Sequence, residues 1–240
     1  MVGLAGATAL VTGAGGGIGG AVARALTGGG AMVWLVGRDG GALERTARAC
    51  APSAVRIRPT DLTDDVGTNE LAQELAGEVG ALDVLVHCAG VIGHGSIEGT
   101  PVEELDRQYR ANVRAFYGLT QRLLPLLRKG PGQVVVVNSS VVSASRAGVA
   151  QFAATQHALR AITDTFRHEV NAEGIRVLSV FPGRTATSRQ EGLYEREGKE
   201  YRPELLLQPE DLATMVVAAL MLPRTAEVTD IHIRPMLRSY

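Results

Sequence analysis

A single α/β domain spanning residues 1–240, built as a doubly wound parallel sheet with helices on both faces, is predicted by three observations. Short runs of Val, Leu and Ile recur without the apolar–polar alternation of a half-solvated sheet, so the strands are expected to be covered on both faces. Segments with helical periodicity separate those runs along the whole chain. A glycine-rich turn, Thr12 to Gly19, joins the first apolar run to the first helical one.

The elements follow in order. Ala7–Val11 is a short strand that ends at Thr12-Gly13, and Ile18–Leu26 is the first helix. Met32–Val36 is the second strand, with a helix near Ala42–Cys50; Ala54–Ile57 is the third, with a helix over Asn69–Val79. Leu82–Val86 is the fourth strand, and Val102–Leu127 reads as one long helix with Asn112 in its interior. Val134–Val137, a very apolar fifth strand, precedes a second long helix, Gln151–Val170, which leads into strand Arg176–Phe181. After Pro182-Gly183 comes a charged stretch, then a helix over Glu210–Met221 and a last strand near Ile231–Ile233. Ala115, Leu119, Leu123 and Leu126 on one long helix, with Leu159, Ile162 and Phe166 on the other, form stripes expected to cover the sheet.

Composition narrows the function classes. A chain of 240 residues is long enough for one substantial core, and 45% hydrophobic with 20% charged residues is ordinary for a globular protein. A net charge of −1 gives no basic footprint for nucleic acid or anionic membrane. Cys50 and Cys88 lie far apart with no metal-ligand spacing, so a reduced pair and no metal are expected. No basic leader and no apolar run approaching the ~20 residues of a membrane helix are present, so a cytoplasmic location is expected.

The glycine turn is the first chemical feature. Gly13 permits a tight turn, Gly17 lets the backbone approach a pyrophosphate, and Gly19 lets helix and strand pack closely; Gly15 and Ile18 complete the cradle. The helix N-terminus behind it offers amide groups and a positive dipole to phosphate. At the end of the second strand the chain reads Val36-Gly37-Arg38-Asp39. An acid at the position of Gly37 would bind ribose hydroxyls and select NAD. Arg38 instead suits a 2′-phosphate, which favours NADP(H), and Asp39 reads as a cap for the next helix.

Together these motifs resemble the short-chain dehydrogenase/reductase family, a Rossmann-like fold, over essentially the whole chain. Thr12 to Gly19 matches the family's Thr-Gly-x-x-x-Gly-x-Gly turn, and Asp61-Leu62 stands where the family contacts adenine. His87-Cys88-Ala89-Gly90 replaces Asn-Asn-Ala-Gly, with both asparagines gone. Asn112 matches the mid-helix asparagine of the family's proton relay, and Ser139, rather than Ser140, falls at the catalytic serine. Pro182-Gly183 and Thr187 match the motif that borders the nicotinamide.

The resemblance implies a tyrosine that protonates a carbonyl oxygen while NAD(P)H delivers hydride, and a lysine one turn later that lowers the tyrosine's pKa. Here Phe152 and Gln156 occupy those two positions. Phenylalanine has no proton to give and glutamine no charge. No lysine occurs between Lys129 and Lys199, so none nearby in sequence replaces Gln156.

Other residues could take part, each beside a plainer role. His157 adjoins the vacancy, but one step along a helix turns it about 100° away, which suits packing or an interface. His94 lies at the carboxyl end of the sheet, where a surface role is the commoner one. His87 and Cys88 fit packing, and Arg146 fits either substrate or solvent. Residues 184–209 form a candidate substrate lid carrying Tyr194, Lys199 and Tyr201, against the reading of a solvated charged loop.

By resemblance the protein is expected to be a homodimer or homotetramer acting on a small molecule. Three functions compete. The first is a repurposed enzyme for a step without net carbonyl reduction, such as cyclisation, elimination or isomerisation of a small secondary-metabolite-type substrate, with Ser139 and Asn112 polarising an oxygen over an apolar Phe152 floor. The second is an NADP(H)-dependent oxidoreductase with a substitute proton donor. The third is a non-catalytic binding or scaffolding subunit.

Overall fold

A computed structural model of the chain describes residues 3–50 and 55–237. Among these residues seven strands form one sheet: β1 (Thr8–Thr12), β2 (Met32–Gly37), β3 (Val55–Pro59), β4 (Val84–His87), β5 (Gln133–Val137), β6 (Arg176–Pro182) and β7 (Asp230–Ile233). Their order is β3-β2-β1-β4-β5-β6-β7, parallel at every pair. The expected third strand began at Ala54, which lies outside the described residues.

Successive strand residues enter opposite cores, which is why the apolar runs do not alternate. Ala9 and Val11 of β1, Val33 and Leu35 of β2 and Val84 and Val86 of β4 face one core with α1 (Gly17–Gly28) and α8 (Pro209–Leu220). Leu10, Trp34, Val36 and Leu85 face the other, with α3 (Asp65–Glu78), α5 (Ala115–Leu127) and α6 (Ala150–Val170). The stripe residues Leu119, Leu123, Leu126, Leu159 and Phe166 are buried in that second core, with Ile162 at its edge.

Capping sets several helix starts. Asp39 accepts from Ala42 N at 3.0 Å and starts α2 (Gly40–Arg48), as its sequence position suggested. Asp64 accepts from Val66 and Gly67 N, so α3 begins one turn before the expected Asn69.

Two departures from expectation bear on function. The long helix predicted over Val102–Leu127 is interrupted: α4 (Val102–Tyr109) passes into a π-helical turn, Arg110–Arg114, before α5. Asn112 sits inside that wide turn, the sort of local break that side-chain competition for backbone partners favours. The stretch expected as a charged lid contains a helix, α7 (Ser188–Arg196), and a short 3₁₀ turn, Pro203–Leu205. It leaves and rejoins the domain at one place, where Thr185 bridges to Leu207 and Ala186 N donates to Leu207 O at 2.7 Å.

Candidate active site

Strand order reverses between β1 and β4, so the crevice at their carboxyl ends is where an open parallel sheet receives a ligand. The glycine turn lines it. Gly13 has φ +64° and Gly17 φ +54°, conformations that glycine adopts without strain. A Cβ on Gly13 would stand 2.8 Å from Ala89 N, and one on Gly19 only 2.4 Å from Gly13 O. One on Gly15 would stand 3.0 Å from the Ala42 side chain. Thus Gly19 permits the close helix–turn contact expected of it, while Gly13 also lets β1 meet the exit of β4. Ile18 packs at the edge of the first core. No acid stands in the first turn of α1, which leaves its positive end unneutralised.

Thr12 fixes this crossing, a role the sequence reading missed. Its buried Oγ1 donates to Val86 O and accepts from Cys88 N and Ala89 N, both at 3.1 Å. Asp61 accepts from Thr63 N at 2.9 Å and Thr63 Oγ1 at 2.7 Å. The Thr63 backbone bond, with the Arg38 charge adding to it, holds its carboxyl below the usual range, so Asp61 lies in the field of Arg38. Leu62 packs at the edge of the second core. Arg189, in the first turn of α7, is solvent-reached, yet the protein around it and the charge of Arg38 push its pKa down. Arg38 and Arg189 therefore lie within each other's field, and Arg189 also within reach of Cys88 at the exit of β4.

At the other end, Gly183 N donates to Ile233 O at 2.8 Å as the chain leaves Pro182. Thr187 caps α7 through Gln190 N, and its methyl would stand 3.1 Å from a Cβ on Gly17. The start of the lid thus rests against the glycine turn.

The four residues at the expected centre of chemistry are distributed as follows. Ser139 Oγ accepts from Val141 N at 3.2 Å, which leaves its hydroxyl proton for another acceptor. Asn138 holds it in place, accepting from Ser139 N at 2.7 Å and donating to Gln156 O at 3.1 Å. Phe152 is 9% exposed and Gln156 5% exposed, and the Gln156 amide makes no side-chain hydrogen bond among the described residues.

Asn112 is fully engaged: its Nδ2 donates to Val91 O and Thr155 Oγ1, both at 3.0 Å, and its Oδ1 accepts from Val91 N at 2.7 Å. It anchors the β4 exit, next to Gly90, to α6, and its amide does not present a free donor to a substrate oxygen. Asn138 and Thr155 carry signals that the sequence reading passed over, polar side chains ending an apolar strand or set within a buried helix face.

The lid is held by one carboxylate. Glu197 receives Arg146 Nη2 at 3.1 Å, Arg184 Nη2 at 2.9 Å and Lys199 Nζ at 3.0 Å, with His94 Nδ1 at 3.8 Å. Arg184 also lies over the Tyr194 ring at 4.6 Å, and Tyr194 meets Tyr201 edge to face. Burial pushes the Glu197 carboxyl up, but the hydrogen bonds of Lys199 and Arg184 and the neighbouring cations outweigh it and bring it to about 2. His94 is therefore no free surface residue. Burial and Arg146 hold its imidazole below the usual value.

Burial displaces three of the remaining candidates. Burial, then Glu191, pushes the Tyr201 phenol up. Cys88 is raised to about 12 by burial. His87 is lowered to about 3 by burial, where it meets Thr120 Oγ1 at 3.0 Å and the edge of Phe116. His87 thus takes the packing role, and His157 is exposed on the outer face of α6. Cys50 and Cys88 are both free thiols. Among the described residues no helix is long and apolar enough to cross a membrane.

Comparison with known proteins agrees with this geometry. The family model for short chain dehydrogenase matches residues 7–198. Glycine betaine reductase ATRR of Emericella nidulans is 32% identical over 240 residues; the match takes in 97% of this chain but spans only 19% of that protein. The uncharacterized oxidoreductase SA2266 of Staphylococcus aureus is 30% identical over 229 residues, covering 95% of this chain and 96% of that one. Among solved structures, an alcohol dehydrogenase from Thermococcus sibiricus complexed with 5-hydroxy-NADP superposes with a TM-score of 0.86 at 25% identity, covering 98% of each chain. A metagenomic short-chain oxidoreductase in complex with NADP gives 0.84 at 26% identity, over 98% of this chain and 99% of that one. With the parallel sheet, the glycine turn and the Ser139–Asn138 arrangement in place, this chain belongs to the short-chain dehydrogenase/reductase family.

Proposed function

We propose that the protein is an enzyme that binds NADP(H) and a small molecule, and that it catalyses a step without net carbonyl reduction, namely a cyclisation, elimination or isomerisation. The nucleotide fits the residues present. The Gly13–Gly19 turn is open at Gly16, with the unneutralised N-terminus of α1 behind it, which suits a diphosphate; Ala89 and Gly90 suit its flank, and Asp61-Leu62 suit adenine. Arg38 suits a 2′-phosphate, and Asp39 is committed to capping α2. Pro182-Gly183 and Thr187 suit the border of a nicotinamide. NADP(H), when bound, supplies or accepts a hydride.

The observation that carries the reading is electrostatic. A general acid works best with a pKa near the operating pH. Phe152 has no proton, and four groups of the loops and lid are displaced away from that range: His94 down, Tyr201 up, Cys88 to about 12 and Glu197 to about 2. Ser139 keeps a free hydroxyl proton with which to orient a substrate oxygen, over the apolar ring of Phe152. Asn112 contributes by positioning, through Val91 and Thr155.

A second reading, an oxidoreductase whose proton comes from water, is favoured by the names of the relatives, both called reductase or oxidoreductase. Incubation of candidate small-molecule carbonyl compounds with protein and NADPH deuterated at the transferred position separates the two. A product isobaric with its substrate, or lighter by one water, is expected. Deuterium in a product that has gained two hydrogens would overturn the first reading in favour of the second.

Restoring the missing pair provides the complementary test. F152Y with Q156K is expected to raise NADPH-dependent carbonyl reduction by about 10²-fold or more. No gain in a folded, NADPH-binding variant would show that the pocket departs from a reductase's at more than these two positions.

A further inference from the structure

The cation nest around Glu197 holds more positive charge than the lid needs. Arg146, Arg184 and Lys199 are three permanent cations on a single carboxylate, and none of them pairs with a second carboxylate among the described residues. Each arginine gives Glu197 only its Nη2; Arg184 is also hydrogen-bonded to and stacked on Tyr194, whereas the other guanidinium N–H groups of Arg146 make no hydrogen bond among the described residues. Three other acids are engaged elsewhere, Glu104 by Arg107 and Glu200 and Glu204 by Arg202. Arg196, which donates to Gly192 O, adds a further cation on the same helix.

The position of the nest matters as much as its charge. His94 comes from the loop after β4, Arg146 from the loop after β5 and Arg184 from the turn after β6. The same strand ends carry Ala89-Gly90, Ser139 and Pro182-Gly183. Gly95 N donates to Gly148 O at 2.9 Å, which joins the first two loops just before Val149, the N-cap of the helix that bears Phe152. The nest is therefore built from loops that leave the same carboxyl edge of the sheet as the crevice.

We infer that the substrate carries a carboxylate, seated beside Glu197 by the free donors of Arg146 and by Lys199, with Arg184 adding its charge. Glu197 already shows that this nest accepts a carboxylate. A second one would reduce the local excess from two positive charges to one, and a planar guanidinium fork is matched to such a group. Recognition at the nest would leave the other end of the substrate toward Ser139 and Phe152. The inference rests on the small-molecule reading above.

The test uses the full chain with NADPH and a series of paired probes: acetate, benzoate, 3-phenylpropanoate and octanoate, each against its primary amide. Binding is read by ligand-observed NMR, and NADPH binding is read in the same samples by nicotinamide fluorescence. At least one carboxylate is expected to bind roughly tenfold more tightly than its amide. R146Q and K199Q, both at half-exposed positions, are each expected to erase most of that preference while leaving NADPH binding and the melting temperature near those of the parent. A series in which no carboxylate outbinds its amide overturns the inference, as does a preference that survives both substitutions. Loss of NADPH binding with the carboxylate preference intact would instead strike the proposed function alone.

Discussion

Replacing Glu197 by Gln isolates the electrostatic part of the lid's attachment, because the amide keeps the shape and removes the charge. The drop of the carboxyl from 4.5 to about 2 corresponds to about 3 kcal/mol of differential interaction. Arg146 and Lys199 are half exposed, so solvent screening brings the usable figure to about 1–2 kcal/mol. A carboxylate with a depressed pKa stabilises the folded lid fully above its unfolded value, near 4.5, and loses that contribution as pH falls toward 2. At pH 7 the substitution therefore removes all of it and leaves three cations facing one another. The open population of the lid should rise about 5- to 30-fold.

Hydrogen exchange reads this directly, with faster exchange over residues 188–202 and unchanged protection in β1 and β5. Trypsin supplies a second readout, since cleavage after Arg196 and Lys199 should accelerate by a similar factor. The parent lid should loosen as pH falls from about 4.5 to 2, and the variant should not follow it. Unchanged exchange in α7 would refute the view that Glu197 holds the lid, and an equal rise across the sheet would show that the charge stabilises the whole domain instead.

Two further expectations concern the nucleotide end. G19A places a methyl 2.4 Å from Gly13 O, a backbone atom that cannot step aside, so NADPH affinity should fall at least about tenfold with a loss of about 1–3 kcal/mol in stability; normal affinity in a fluorescence titration would contradict the assigned cradle. R38Q should weaken NADPH by about 10- to 100-fold and leave NADH unchanged, the value of one charge-assisted contact; equal losses for both would place the 2′-phosphate elsewhere, with Arg189, within the field of Arg38, the next cation to test.

The sheet was legible because its five inner strands are buried on both faces, so that each of their apolar runs carries its own evidence of a parallel, covered position. The glycine turn was legible because backbone geometry restricts the residue type there. What escaped the sequence lies between segments far apart in the chain. The helix α7 is short and mostly charged, with only Leu193 and Tyr194 buried, so its periodicity is too weak to read. The π turn at Asn112 comes from contacts with Val91 and Thr155, 21 and 43 residues away, which local propensity cannot register. Glu197 looked like one acid in a charged stretch; its role depends on partners at 94, 146, 184 and 199 that only folding brings together. Thr12 and Asn138 did carry a local signal: each is a polar side chain closing an apolar strand at the edge where ligands bind, and each proves to pin a loop there.

The arrangement around α6 separates geometry from chemistry. Asn112 braces α6 through Thr155, Thr155 Oγ1 donates back to Phe152 O at 2.8 Å, and Asn138 grips the Gln156 carbonyl. All of these contacts are made by backbone atoms of positions 152 and 156 or by their neighbours, and none depends on what side chain stands at either. The scaffold that would aim a proton donor and its activator is thus intact while the groups themselves are a phenyl ring and an unpartnered amide. Restoring the pair changes little of the packing except at two side chains, which is why the double substitution probes chemistry rather than folding. The same logic assigns Ser139 its weight. With the ring of Phe152 inert, the Ser139 hydroxyl keeps a proton to give at the end of β5, and an oxygen held but not protonated is what the proposed function asks of it.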